Sequence, residues 1–232
     1  MADQETALIV GAGAGLSGSL CRLFSAEGMA VALAARDPSK LKDLTSDTGA
    51  TAIACDATDA DQVRTLFDTV TKESGVPDVV VYNASGRVRG AIETLDSQAV
   101  RKAIEVSCFG AFLVGQAAAR LMIERGSGTV LFTGASASIK GYANSSCFAM
   151  GKFGLRGLAQ AMARELQPKN IHVAHFVIDG GIAKPNDPRA EGRGPDALLQ
   201  PDEIARTYLH AHRQHRSAWT FEFELRPWVE QF

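Results

Sequence analysis

Thr6-Ala7-Leu8-Ile9-Val10 runs directly into Gly11-Ala12-Gly13-Ala14-Gly15-Leu16-Ser17-Gly18, and this junction decides the fold. The first five residues are an apolar, partly β-branched run closed by glycine, the pattern of a buried strand. The glycines let the chain turn sharply and let backbone N–H groups come close to a ligand. An apolar-periodic stretch to about Glu27 then predicts a helix, whose first turn offers free N–H groups and a positive dipole end. A Gly-rich turn between a strand and a helix, opening a βαβ unit, is the setting in which such a motif binds a dinucleotide pyrophosphate. Gly11, Gly13, Ala14, Gly15 and Leu16 are therefore candidate cofactor-binding residues.

The same alternation continues along the chain. Strands are predicted at Ala30–Ala35, Thr51–Cys55, Asp78–Tyr82, Thr129–Thr133 and Ile171–Val177, with a last, aromatic one at Ala218–Leu225. Helices are predicted at Pro38–Asp47, Asp59–Glu73, Asp96–Arg125, Phe148–Leu166 and Pro201–His212. Strand–helix alternation with right-handed crossovers implies a Rossmann-type, doubly wound α/β fold: one parallel seven-stranded sheet covered on both faces. A single domain over residues 1–232 accommodates all of it. The Pro-, Gly- and charge-rich stretch Lys184–Gly194, within 184–200, is expected to act as a substrate lid. The ligand belongs at the carboxyl ends of the strands, near the switch in strand order.

Composition excludes several classes of protein. The net charge is -2, which offers no electrostatic attraction to nucleic acid or an anionic membrane. No apolar run of about 20 residues stands out as a membrane span. The acidic start Met1-Ala2-Asp3-Gln4-Glu5 lacks the features of a signal peptide. Cys21, Cys55, Cys108 and Cys147 lie far apart in apolar surroundings and are expected to be buried free thiols of a cytoplasmic protein. His210, His212 and His215 are mixed with arginines and are read as a solvated helix end, so no metal site is expected. His172 and His175 are read as structural. Lys184 is weighed as a contact for an acidic substrate.

The second strand ends in Ala35-Arg36-Asp37. An acidic residue at its end would bind the ribose hydroxyls of NAD, whereas the guanidinium of Arg36 suits the 2′-phosphate of NADP. NADP(H) is the expected cofactor in preference to NAD, which stays open because Asp37 could still contact a ribose.

These residues resemble the short-chain dehydrogenase/reductase family over nearly the whole chain. Gly11 and Gly15 match the spacing of its phosphate turn, with Ser17 where the last glycine usually stands. Cys55-Asp56-Ala57 resembles the segment bordering the adenine, and Asn83-Ala84-Ser85-Gly86 resembles the Asn-Ala-Gly motif. Ile178-Asp179-Gly180-Gly181-Ile182 resembles the segment lining the nicotinamide, with Asp179 replacing a proline. The resemblance thus adds Asp56, Ala57, Asn83, Ala84 and Ile182 to the cofactor site. It also makes Lys152 the family lysine, which hydrogen-bonds the nicotinamide ribose.

The resemblance breaks at the chemistry. The family's acid/base tyrosine lies four residues before the lysine, and that position holds Phe148. Its asparagine position holds Ser107, and its serine position falls on Ala135, with Ser136 next. Two readings follow. In one, an atypical oxidoreductase reduces a small carbonyl or conjugated C=C substrate with another proton donor. Tyr142 and Ser136 are the foremost candidates for that donor, with Ser138, Ser145 and Ser146 near. In the other, a catalytically silent module keeps NADP(H) for binding or sensing. The small residues on the Asp96–Arg125 and Phe148–Leu166 helices, through the resemblance, imply a homodimer or homotetramer. The aromatic last strand is expected to be an apolar edge in subunit contact. Gly86–Ala91 and Lys184–Gly194 are expected to shape the substrate pocket.

Overall fold

A computed structural model describes residues 4–230; the first three residues of the acidic start lie outside them. Seven strands form one sheet: β1 (Thr6–Val10), β2 (Ala30–Ala35), β3 (Thr51–Ala54), β4 (Val79–Tyr82), β5 (Gly128–Thr133), β6 (Ile171–Ile178) and β7 (Glu222–Leu225). Their order is β3-β2-β1-β4-β5-β6-β7. Every neighbouring pair is parallel. The doubly wound, seven-stranded expectation holds, and the order reverses between β1 and β4.

Period-2 alternation sends each strand's side chains to two cores. Ala7 and Ile9 join a cluster with α1 (Leu16–Ala26), α2 (Lys42–Thr48) and α7 (Pro201–Arg213), through Leu20, Phe24, Leu44, Ile204 and Tyr208. Leu8 and Val10 join the opposite cluster, with α3 (Ala60–Ser74), α5 (Gly110–Arg125) and α6 (Ser146–Leu166), through Leu66, Phe67, Val114, Met122 and Leu155.

Three expectations need correction. The long helix is interrupted: α4 (Ser97–Ile104) passes through a π turn at Glu105–Phe109 before α5 begins. The cause is the buried Tyr82, whose hydroxyl takes the Val106 carbonyl at 2.5 Å and so competes with the helical ladder. The continuous run Ser97–Arg125 is also, by length and composition, apolar enough to cross a membrane, contrary to the sequence reading. It packs along the sheet, with Val114, Ala118 and Met122 in the core, and so lies as a sheet-covering helix.

Thirdly, the last strand is shorter than expected and its aromatics face inward. A 3-10 turn occupies Arg216–Ala218 before Glu222 begins β7. Phe223 stacks on Phe176 at 4.9 Å, and Trp219 on His172 at 4.9 Å. Phe221 packs against the core. Of the aromatics at this end among the described residues, Trp228 is the one left largely exposed. The edge therefore presents much less apolar surface than its sequence suggests.

Candidate functional site

The turn after β1 closes onto β4 at the switch point. The N–H groups of Gly11 and Ala12 both donate to the Ala34 carbonyl, and Asn83 N–H donates to Val10. Gly11 adopts φ +83°, and a Cβ there would lie 2.4 Å from the Ala84 nitrogen. Glycine is thus required on both counts. Ser17, expected from the sequence to stand at a family glycine, is buried and bridges: its hydroxyl donates to the Gly11 carbonyl at 3.2 Å and accepts from the Asn83 amide at 2.8 Å. Ser17 thereby straps the glycine turn to the end of β4.

The start of α1 lacks a competing anion. Gly15 caps it without a side-chain bond, and the first turn carries no acidic residue. A Cβ at Gly13 or Gly15 would meet nothing within 4 Å, so the space above the turn is open. Uncapped N–H groups at an open helix end suit a pyrophosphate. Leu16 itself is buried in the core, so only its backbone faces the turn.

Beside the turn lies a cavity of about 330 Å³. Gly11, Arg36, Asp56, Ala57, Asn83 and Ala84 line it, so residues from the ends of four strands meet as expected. Arg36 stands exposed at its lip. Asp37 is turned away: its carboxylate accepts from the Ser39 N–H and hydroxyl and pairs with Lys40 at 3.4 Å. These contacts, the Ser39 hydroxyl first, hold Asp37 below the usual carboxylate range. Asp56 is held by the N–H and hydroxyl of Thr58, which lower its pKa.

A second cavity, of about 640 Å³, opens at the carboxyl ends of β5 and β6. Ser136, Tyr142, Phe148 and Asp179 line it. Ser138 does not; it is fully buried and its Oγ accepts from Ala135 N–H. Ser145 lines the wall, whereas the Ser146 hydroxyl is buried. Gly86–Ala91, expected to contribute apolar and small groups, instead brings Arg87 and Arg89 to the wall. The Arg-x-Arg spacing was visible in the sequence, but nothing local announced which way it would point. The Arg87 guanidinium sits 4.5 Å from the Phe148 ring centroid. Asp179, noted in the sequence only as replacing a proline, is a buried carboxylate paired with Arg226 at 3.4 Å.

Lys152 lines neither cavity. It is buried, and its ammonium donates to the Thr133 carbonyl at the end of β5 at 2.6 Å. Burial pushes its pKa down to about 8. Ser107, read from the sequence as standing at the family's asparagine position, accepts from the Gly86 N–H at 2.9 Å and donates to the Gly86 carbonyl at 3.1 Å. It thereby clamps the loop after β4 onto the π turn.

Ile182 bridges to Leu199, and its carbonyl accepts from Arg189 at 2.7 Å. The Ala183 N–H donates to Leu199, and the Leu199 N–H to Gly181. The stretch expected as a lid, 184–200, is therefore a loop closed at its neck, with a 3-10 turn at Pro188–Ala190. Lys184 is exposed and outside the cavity wall.

The histidines near the end of α7 hold no metal-binding group of three among the described residues. His212 is not solvated: its Nδ1 meets the Thr129 hydroxyl at 3.0 Å and its Nε2 lies 3.4 Å from Glu5. His172 and His175 are structural. Both ring nitrogens of His172 meet backbone carbonyls, at Ala211 and Thr220. His175 meets Glu222, which also pairs with Arg156. The four cysteines are free, and Cys108 is only half-buried.

This parallel sheet, with a glycine turn at its switch point, has the architecture of a nicotinamide-dependent oxidoreductase. The short chain dehydrogenase family model matches residues 5–186, and the chain belongs to that family. It is 29% identical over 179 residues to the 3-oxoacyl-[acyl-carrier-protein] reductase MabA of Mycobacterium bovis, covering 77% of this chain and 70% of that protein. It is 31% identical over 226 residues to (+)-borneol dehydrogenase 1 of Salvia officinalis, covering 90% and 86%. A short-chain dehydrogenase from Rhodopseudomonas palustris superposes with a TM-score of 0.83 at 34% identity, covering 97% of this chain and 99% of that one.

Proposed function

We propose that this member of the family is an NADP(H)-dependent reductase of a small carbonyl or conjugated C=C compound, with a proton donor other than the family tyrosine. The exposed Arg36 at the lip of the first cavity carries the cofactor preference, because the neighbouring Asp37 is already engaged with Ser39 and Lys40. A guanidinium there recognises the 2′-phosphate, while the carboxylate at the end of β2, Asp37, is held by Ser39 and Lys40 instead of meeting a ribose. The open end of α1 and the N–H groups of Gly13, Ala14, Gly15 and Leu16 receive the pyrophosphate.

A bound nicotinamide supplies a hydride to the substrate carbon. The chain's part is to orient and to move a proton. Lys152, beyond the hydrogen bond it gives Thr133, keeps further N–H donors for the nicotinamide ribose. Phe148 has no proton to give. Tyr142 lines the cavity and carries the phenol that a carbonyl oxygen or an enolate carbon would protonate from, with Ser136 beside it. The same absence at 148 favours the second reading, in which the fold holds NADP(H) without turnover.

The subunit is proposed to form a homodimer or homotetramer through its helical face. Phe109, Phe112, Met150 and Phe153 expose 40–50% of their area there. The free thiols fit a reducing, cytoplasmic setting.

Titration with NADPH and NADH, followed by a carbonyl and enone panel, tests the reading. NADPH is expected to bind more tightly, and Arg36→Ala to weaken NADPH about tenfold while sparing NADH, since charge-assisted bonds exceed neutral ones. Tyr142→Phe is expected to lower turnover about 10²-fold at unchanged NADPH affinity. No turnover on any substrate would favour the silent module, and no binding of either cofactor would sink both.

A further inference from the structure

The second cavity is walled by four arginines: Arg87, Arg89, Arg189 and Arg193. Two are neutralised within the chain. Arg189 pairs with Asp187, and Arg193 lies 3.6 Å from Glu230. Arg87 and Arg89 have no carboxylate within ion-pair distance among the described residues. The carboxylate deepest in the wall, Asp179, is paired with Arg226. Two guanidinium charges therefore face one cavity without a counter-charge.

Two like charges brought to one wall repel each other. Partial desolvation against the wall, and then the charge of Arg89, push the Arg87 pKa down. Arg87 is nevertheless seated over the Phe148 ring, which fixes its direction into the cavity. Around this pair the wall is polar at Tyr142 and Asn144 and apolar at Phe148 and Leu198. The volume, about 640 Å³, is that of a small-molecule site.

We propose that this cavity takes an anionic substrate, a short oxo or enoic acid whose carboxylate is gripped by Arg87 and Arg89 while its apolar part lies on Phe148. The assignment deepens the reductase reading by naming the substrate class of the same site. A planar carboxylate matches the fork of a guanidinium, and relief of the Arg87–Arg89 repulsion adds to the attraction. Phenylalanine at 148 then has a use of its own: its ring carries the arginine that a neutral substrate would not need.

Calorimetry with glutarate and its neutral isostere glutaramide tests the site without turnover. Glutarate is expected to bind at least tenfold more tightly, with the difference shrinking at 0.5 M salt. Arg87→Gln/Arg89→Gln is expected to abolish the preference; both side chains are exposed, and an unchanged thermal melt checks that the variant is folded. Equal binding of acid and amide, or a preference that survives the double variant, would overturn the proposal. A separate assay compares NADPH oxidation with 4-oxopentanoate and its methyl ester, with Arg89→Gln expected to raise KM for the acid alone. Arginine-dependent glutarate binding without NADPH oxidation by 4-oxopentanoate or any member of the carbonyl and enone panel would sink the reductase reading and leave the anion site standing. Oxidation of cofactor with no preference for the acid would do the reverse.

Discussion

Single residues in this chain act through their partners more than through their type. Arg36 and Asp37 are adjacent, yet one is presented to the cavity and the other is engaged with Ser39 and Lys40. His175 shows the same logic in the interior. It is fully buried, its Nδ1 faces Glu222, and its Nε2 lies against Gly134 without a hydrogen-bond partner among the described residues. Burial depresses its pKa from 6.5 to about 4; Glu222 opposes this, while Lys152 and Arg156 add to it. The unfolded chain therefore takes up a proton that the folded one refuses. The stability owed to a neutral His175 is complete above about pH 6.5 and is lost as pH falls towards 4, by roughly 3 kcal/mol. The pKa values of His172 and His212 are lowered by burial too and act in the same direction. Thermal melts between pH 7.5 and 4.5 should show a falling midpoint, with a shallower slope for His175→Gln; an equal slope would place the proton elsewhere.

At the scale of elements, the site depends on how closely the loop after β4 approaches the helix opposite. A Cβ on Gly86 would lie 2.5 Å from the Ala103 Cα, a contact with backbone that cannot yield cheaply. Ser107 locks the same glycine through both its N–H and its carbonyl. Gly86→Ala is expected to destabilise the fold by about 1–3 kcal/mol through overpacking, or about 2–4 °C in Tm for each kcal/mol. A Tm within 1 °C of the parent would show that α4 moves freely. The helices and strands were legible because their periods are local properties of the chain. The π turn was not, because its cause is Tyr82, a residue from another element that reaches the Val106 carbonyl. The inward turn of the β7 aromatics was hidden for the same reason: His172 and Phe176, on the neighbouring strand, receive them.

For the molecule as a whole, several of the large apolar side chains left exposed lie on the helical run to α5 and on α6, while Trp228 is exposed beyond the edge strand. Phe109 and Phe112 stack at 6.1 Å on one helical run, and Met150 and Phe153 are exposed on α6. On the proposed oligomeric reading these exposed side chains form the association surface. Light scattering is expected to give a dimer or tetramer, and Phe112→Glu/Phe153→Glu to give monomers; a monomeric parent would refute the oligomer. By itself the sequence determined the strand–helix alternation, the glycine turn and the basic end of β2, since each depends on neighbours within one turn or strand. It also placed most of the first cavity's residues, because those sit at strand ends whose order follows from the winding of the sheet. Only the tertiary structure decided the second cavity: Arg87 and Arg89 after β4 meet Arg189 and Arg193 after β6 across the tops of the strands. Whether those charges find carboxylates depends on loop paths set by long-range packing, and no local pattern in the chain encodes them.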